Sequence, residues 1–192
     1  MRKASAVRKT KETEISISID LDGTGKSKIN TGVGFFDHML DLFAFHSKFD
    51  LEVECKGDLY VDDHHMIEDT GILLGTLLLE ALGDKRGIER YGNCRLVMDE
   101  ALTCVDLDLS GRAYLVYNCE LKRDTIGNYS CEMTQEFLRA LAFNSKMTLH
   151  VNNLYGENDH HKVESIFKAL GRALKIAVKI TSDELPSTKG ML

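Results

Sequence analysis

Two stretches of this chain repeat one another, and that duplication restricts the folds open to it more than any other feature. Asp20-Leu21-Asp22-Gly23 returns as Asp108-Leu109-Ser110-Gly111, and Ala44-Phe45-His46-Ser47-Lys48 as Ala142-Phe143-Asn144-Ser145-Lys146. Leu59-Tyr60 matches Leu154-Tyr155, and His64-His65-x-x-Glu68 matches His160-His161-x-x-Glu164. The offsets are 88, 98, 95 and 96 in the same order along the chain, a drift that loop changes of a few residues explain. A chain of 192 residues built this way is expected to form one domain, 1–192, from two halves, about 1–90 and 91–192.

Hydropathy periods give the content of each half. Residues 14–21 alternate apolar and polar, the period of a half-buried strand. Asp22-Gly23 has hairpin-turn chemistry before a second strand at 26–30. Residues 35–45 carry apolar side chains at helical spacing, 49–55 alternate again, and 64–82 are helical up to Gly83. In the second half the same reading puts strands at 95–98, 102–109, 113–121 and 147–151, and helices at 133–143 and 160–180. The expected class is α+β, with duplicated strand–strand–helix–strand–helix half-domains related by a pseudo-twofold axis and helices on one face of each mixed sheet.

Charge and cysteine usage narrow the function classes. A net charge of -6, from 24 basic and 30 acidic side chains, argues against non-specific nucleic-acid binding, which needs a basic face. Arg2, Lys3, Arg8, Lys9 and Lys11 read as a solvated arm. Five cysteines without a C-x-x-C pair fit neither a zinc knuckle nor a complete disulfide framework, and suit a reducing compartment. The first eleven residues are charged rather than a signal segment, and the apolar run 71–79 is too short to span a bilayer, so a cytoplasmic location is expected.

The doubled His-His-x-x-Glu carries the chemistry. Positions i and i+4 share a helix face, so His64 and Glu68 can reach one ion, as can His160 and Glu164. His65 and His161 each point about 100° away from their neighbour and are expected to serve a different ion. One copy alone would read as exposed helix-start histidines beside acidic neighbours, whereas two copies in register favour metal. His38, in Phe36-Asp37-His38-Met39, has Glu136 as its counterpart at the 98 offset, and both are candidate ligands. Imidazole and carboxylate without thiolate suit Mn²⁺ or Fe²⁺. Arg90, Arg112, Lys168 and the tail Ser187-Thr188-Lys189-Gly190 are candidate anion contacts. Gly23-Thr24-Gly25-Lys26-Ser27 imitates a phosphate-binding loop, but Asp20 stands where the motif needs glycine and no helix follows, so a hairpin turn is expected.

With Asp37-His38-Met39-Leu40, Asp63-His64-His65-x-x-Glu68-Asp69 and His160-His161-x-x-Glu164 assembled, the chain resembles the imidazoleglycerol-phosphate dehydratase family. Asn30-Thr31-Gly32-Val33-Gly34-Phe35-Phe36, Met98-Asp99-Glu100-Ala101-Leu102 and Pro186-Ser187-Thr188-Lys189-Gly190 support the resemblance, which runs nearly end to end and resembles the monofunctional form. It implies dehydration of imidazoleglycerol phosphate to imidazoleacetol phosphate and water in histidine biosynthesis, on a duplicated fold related to a domain of ribosomal protein S5. It further implies two Mn²⁺ per active site, held by His38, His64, His65, Glu68, Glu136, His160, His161 and Glu164. Substrate contacts are implied at Glu12, His46, Arg90, Arg112, Lys168, Ser187, Thr188 and Lys189, and a homo-oligomer of 24 subunits built from trimers is implied as well.

That chemistry accounts for the residue types. The hydrogen lost is not next to a carbonyl, so simple enolate formation is closed. A substrate ring held as imidazolate between two metal ions could instead expel the neighbouring hydroxyl, giving a diazafulvene-like intermediate. Glu12 is the expected proton carrier, with Glu100, its counterpart at the 88 offset, as the reserve. Two other readings stand beside it, the first with the same ligands. A metal-dependent hydrolase would release inorganic phosphate from phosphate esters. A ferritin-type storage protein would need Glu-x-x-His on an all-helical bundle, whereas this chain has the reverse order and many strands.

Overall fold

In β2 (Thr13–Asp20) the two-residue period decides the faces: Ile15, Ile17 and Ile19 are buried, whereas Glu14, Ser16 and Ser18 are exposed. The computed structural model describes residues 2–190 and 192. Its first half consists of β1 (Lys3–Lys9), β2, β3 (Ser27–Asn30), α1 (Gly34–Ser47), β4 (Asp50–Gly57) and α2 (His64–Leu82). The second half repeats the order with β5 (Tyr91–Met98), β6 (Ala101–Asp108), β7 (Tyr114–Asn118), α3 (Met133–Ser145), β10 (Thr148–Tyr155) and α4 (Asp159–Ala177). A small hairpin of β8 (Thr125–Ile126) and β9 (Tyr129–Ser130) is inserted before α3.

The two large sheets have the same topology, β1-β2-β4-β3 and β5-β6-β10-β7. In each, the short third strand pairs in parallel with the strand beside it and the other pairs are antiparallel. Both sheets are therefore mixed, as expected of the duplicated α+β fold. Helices α1 and α2 pack on the first sheet and α3 and α4 on the second. The helical layers then meet, α1 against α4 and α2 against α3, and buried side chains from both halves form one continuous cluster.

Three local readings change. The basic N-terminal segment is not a solvated arm: residues 3–9 form β1, paired along its whole length with β2. Its cations have fixed partners, Lys3 with Asp20 at 2.8 Å, Arg8 with Asp69 at 2.9 Å and Lys9 with Glu14 at 2.6 Å. Few large apolar side chains occur in this edge strand, so no two-residue period marks it. The half-unit thus gains a third strand ahead of its first helix.

The segment around Asp22-Gly23 is not a hairpin either, because β4 lies between β2 and β3. Residues 21–26 carry the chain across, and Asp50 Oδ1 accepts hydrogen bonds from the amides of Thr24, Gly25 and Lys26 at 2.8, 3.0 and 2.9 Å. The loop does cradle an anion, but the anion is the chain's own carboxylate. The Lys26 and Thr24 amides hold Asp50 below the ordinary aspartate range. Finally, α4 stops at Ala177, short of residue 180, because Ile180 forms a bridge with Ile88 and the Glu89 amide donates to the Lys179 carbonyl. Among the described residues no helix is long and apolar enough to cross a membrane.

Two glycines at equivalent places set the helix spacing. A Cβ on Gly75 of α2 would lie 2.6 Å from the Leu141 carbonyl of α3, and one on Gly171 of α4 would lie 2.8 Å from the Phe43 carbonyl of α1. Gly75 and Gly171 differ by 96, the offset of the histidine motifs, so both helix pairs close on a glycine in the same way.

Candidate active site

Both histidine helices begin with the same device. The side-chain oxygen of Asp62 accepts from the His64 amide at 2.9 Å, and that of Asn158 from the His160 amide at 2.9 Å, which satisfies a donor left free by the first turn. The next residue in each copy is a buried aspartate that pins the helix start to a loop. Asp63 accepts from the Ser130 amide and hydroxyl at 2.6 Å each, and Asp159 from the amides of Lys122 and Arg123 at 2.7 Å each.

The paired rings diverge as helix geometry requires. Ring centroids of His64 and His65 are 6.2 Å apart at 75°, and those of His160 and His161 are 6.1 Å apart at 81°. The first histidine of each pair turns Nε2 toward the carboxylate one helical turn on: His64 to Glu68 at 3.6 Å, His160 to Glu164 at 3.1 Å. The second turns Nδ1 toward a carboxylate from outside its helix: His65 to Asp58 at 3.0 Å, His161 to Glu100 at 2.7 Å. Asp99 also approaches His161, its oxygen 3.7 Å from Nε2.

His38 on α1 reaches across to α4. Its Nε2 is 4.0 Å from Glu164, and ligand atoms of His38, His160 and Glu164 all lie within 4.8 Å of one another. Among the described residues this is the one group of three or more such side chains so gathered. Two imidazoles and a carboxylate, with no thiolate, fit a divalent ion of the Mn²⁺ type. Lys168 Nζ sits 2.5 Å from Glu164 Oε1. Burial works against the Glu164 charge, yet Lys168 and His160 hold its carboxyl below the usual glutamate range.

The other predicted ligands are not gathered within one chain. Glu136 pairs with Arg139 at 2.9 Å and joins no cluster of three among the described residues, nor do His64, Glu68, His65 and His161. The anion contacts divide into two places. Arg90, Arg112, Ser187, Thr188 and Lys189 line one recess of about 200 Å³. Arg90 is fixed there by a two-pronged contact to Asp108, at 2.7 and 3.0 Å, and by the Pro186 carbonyl at 2.9 Å, while Arg112 stays largely exposed. Lys168 lies instead beside Glu164, and half-buried His46 is near it. Burial, then the Lys168 and Arg172 charges, push His46 below its ordinary value.

Glu12 is exposed, at an open recess of about 350 Å³ that Lys11, Asp58 and Tyr60 also line. Glu100 is fully engaged: Oε2 holds His161, and Oε1 accepts from the amides of Asn158 and Glu157 at 2.8 and 3.0 Å. Those contacts, the Asn158 amide first, bring its carboxyl down to about 2. It is therefore unsuited to the reserve proton-carrier role. Asp58 is the partner that sequence reasoning missed, since a carboxylate seven residues before His65 and outside the helix has no periodic relation to it.

A family model described as imidazoleglycerol-phosphate dehydratase matches residues 31–174, three quarters of the chain. The chain belongs to the imidazoleglycerol-phosphate dehydratase family. It is accordingly a hydro-lyase. An imidazoleglycerol-phosphate dehydratase of Azorhizobium caulinodans is 56% identical over 195 residues, covering 100% of this chain and 99% of the relative. That of Caldicellulosiruptor bescii is 53% identical over 191 residues, covering 100% and 98%. Among solved structures, the dehydratase of Staphylococcus aureus superposes with a TM-score of 0.85 at 44% identity, covering 93% of this chain and 99% of its own. The Pyrococcus furiosus enzyme, crystallised in complex with (S)-C348, gives 0.85 at 38%, covering 97% and 100%. A dehydratase of this family has the duplicated fold found here.

Proposed function

We propose that the chain dehydrates imidazoleglycerol phosphate to imidazoleacetol phosphate in histidine biosynthesis, with metal bound by the doubled histidine motifs. The convergence of His38, His160 and Glu164 from two helices carries the metal part of this reading. The substrate part rests on the family's printed name and on the motifs that match it.

His38, His160 and Glu164 would hold one ion, and His64, His65, Glu68, Glu136 and His161 are the proposed remaining ligands of a pair of Mn²⁺ ions. Bound there, such ions would supply Lewis-acid chemistry that makes loss of a proton from the imidazole ring less costly, and the electron-rich ring could then expel the adjacent hydroxyl. The chain's own groups do the rest. Arg90, Arg112, Ser187, Thr188 and Lys189 form a cationic, donor-rich corner suited to the phosphate, and Lys168 brings a further cation beside Glu164. Fixing the phosphate at one end sets where the imidazole lies. Glu12, exposed and in no ion pair among the described residues, takes the proton from the carbon that becomes the ketone, leaving an enol; it returns that proton to the carbon that lost the hydroxyl, while the enol O–H proton is released and converts the departed hydroxide to water. The net change is loss of one water and no change in redox state.

We also assign a 24-subunit assembly built from trimers and a cytoplasmic location to this reading. Metal-loaded protein given imidazoleglycerol phosphate should produce the ketone. Release of inorganic phosphate without ketone would replace the dehydratase by a hydrolase.

A further inference from the structure

The duplication places Glu12 and Glu100 at equivalent positions, yet the two side chains do different things. Glu100 grips His161 Nδ1 at 2.7 Å, whereas His65, the counterpart of His161, is gripped by Asp58 at 3.0 Å. Strand register makes Asn153 the counterpart of Cys55, because Asn153 faces Thr103 as Cys55 faces Ile15, so the place of Asp58 in the second half lies just beyond β10, where the Glu157 amide donates to Glu100 at 3.0 Å. Equivalent rings are thus held at the same nitrogen by carboxylates recruited from non-equivalent places.

A carboxylate on Nδ1 fixes an imidazole in two ways: it selects the tautomer with Nδ1–H, and it keeps Nε2 free and more basic. In contrast, His64 and His160 face carboxylates through Nε2, so they are not held in this manner. Asp58 has the stronger case for a dedicated role. Among the described residues its Oδ1 is buried with no hydrogen-bond partner, an arrangement that costs free energy, and its Oδ2 is the oxygen that holds His65.

We infer that Asp58 and Glu100 are the positioning residues of His65 and His161, and that recruitment of Asp58 in the first half is what leaves Glu12 free to act on substrate. This rests on the metal reading above. The role is to aim Nε2 of each second histidine at an ion, without contact with the ion or the substrate.

The test uses the full chain, stripped with chelator and dialysed, with Mn²⁺ binding followed by the electron paramagnetic resonance of the free ion. Asp58→Asn and Glu100→Gln are compared with Asp106→Asn, an exposed carboxylate on β6. Each of the first two should weaken one class of Mn²⁺ sites by about 10–100-fold, the size expected for loss of an outer carboxylate partner, with Asp106→Asn unchanged. At saturating Mn²⁺, Asp58→Asn should keep a depressed kcat, because Glu12 then becomes the carboxylate available to His65. Unchanged isotherms, or a lower unfolding midpoint of the metal-free form with an unchanged isotherm, would overturn the positioning role. Full recovery of kcat in Asp58→Asn at saturating metal would overturn the link to Glu12. Absence of Mn²⁺ binding in the unaltered chain would sink the metal reading itself and this inference with it.

Discussion

At the scale of single residues, function depends on which carboxylates are already occupied. Glu12 and Glu100 descend from one position, but two backbone amides and a histidine saturate Glu100, while Glu12 stands at an open recess. Glu12→Gln should therefore lower kcat by ~10²-fold or more while metal and substrate binding persist, measured by steady-state kinetics beside a metal isotherm. A rate near that of the unaltered chain would require a proton carrier other than Glu12, and Glu100 is a poor replacement. The Glu100 carboxyl also has a signature in acid. Because its pKa falls from 4.5 to about 2 on folding, its contribution to stability is complete above pH 4.5 and is lost as pH drops toward 2. Denaturant midpoints taken across that window should fall less steeply with acid for Glu100→Gln than for the unaltered chain. His161 works in the opposite direction. Its Glu100 contact raises its pKa, so that stabilisation is present below the ordinary histidine value and fades as pH rises through the raised one.

At the scale of elements, the site depends on how closely two helix pairs approach. His38 is on α1 while His160 and Glu164 are on α4, so their convergence is set by the distance between those helices. Gly171 determines it, since a methyl there would press on the Phe43 carbonyl and the Ser47 amide. Gly171→Ala should destabilise the fold by about 1–3 kcal/mol, the range for an overfilled contact, and also weaken Mn²⁺ binding, because α1 must shift away from α4. Gly75→Ala, which parts α2 from α3 instead, should cost a similar amount without opening the His38–His160–Glu164 group. Urea titrations of the metal-free forms and Mn²⁺ isotherms of both variants separate the two effects. Equal metal affinity in both would show that helix spacing does not control the cluster.

At the scale of the whole molecule, the pseudo-twofold arrangement gives each chain two histidine helices but, among the described residues, one gathered group of three candidate ligands. Under the proposed assembly, His64, Glu68, Glu136 and the second histidines would be completed by other subunits, which is why we link metal binding to assembly. A ligand that binds only the assembled state stabilises it by mass action. Chelation should thus break the large particle into smaller species, trimers under the proposed architecture, and Mn²⁺ should restore it. Light scattering before and after chelation decides the matter, and an unchanged mass without metal would show that assembly is independent of these sites.

The strands with strict alternation, the four helices and the duplication could be read from the amino-acid order because each rests on a local period or on a repeated motif. Burial of Ile15, Ile17 and Ile19 follows from spacing alone. The divergence of His160 from His161 follows likewise from about 100° of helix rotation. Tertiary packing decided everything that depends on a partner distant in the chain. β1 is a strand because β2 offers its edge, not because of any pattern in Lys3–Lys9. Residues 21–26 form a crossover because β4 intervenes and Asp50 fills their amides. Lys168 belongs with Glu164 and away from the Arg90 corner, although its type alone grouped it with those cations. Likewise Asp58 rather than Glu12 holds His65, since a hydrogen bond is specified by position in space, and residue type and spacing carry that only along a regular helix or strand.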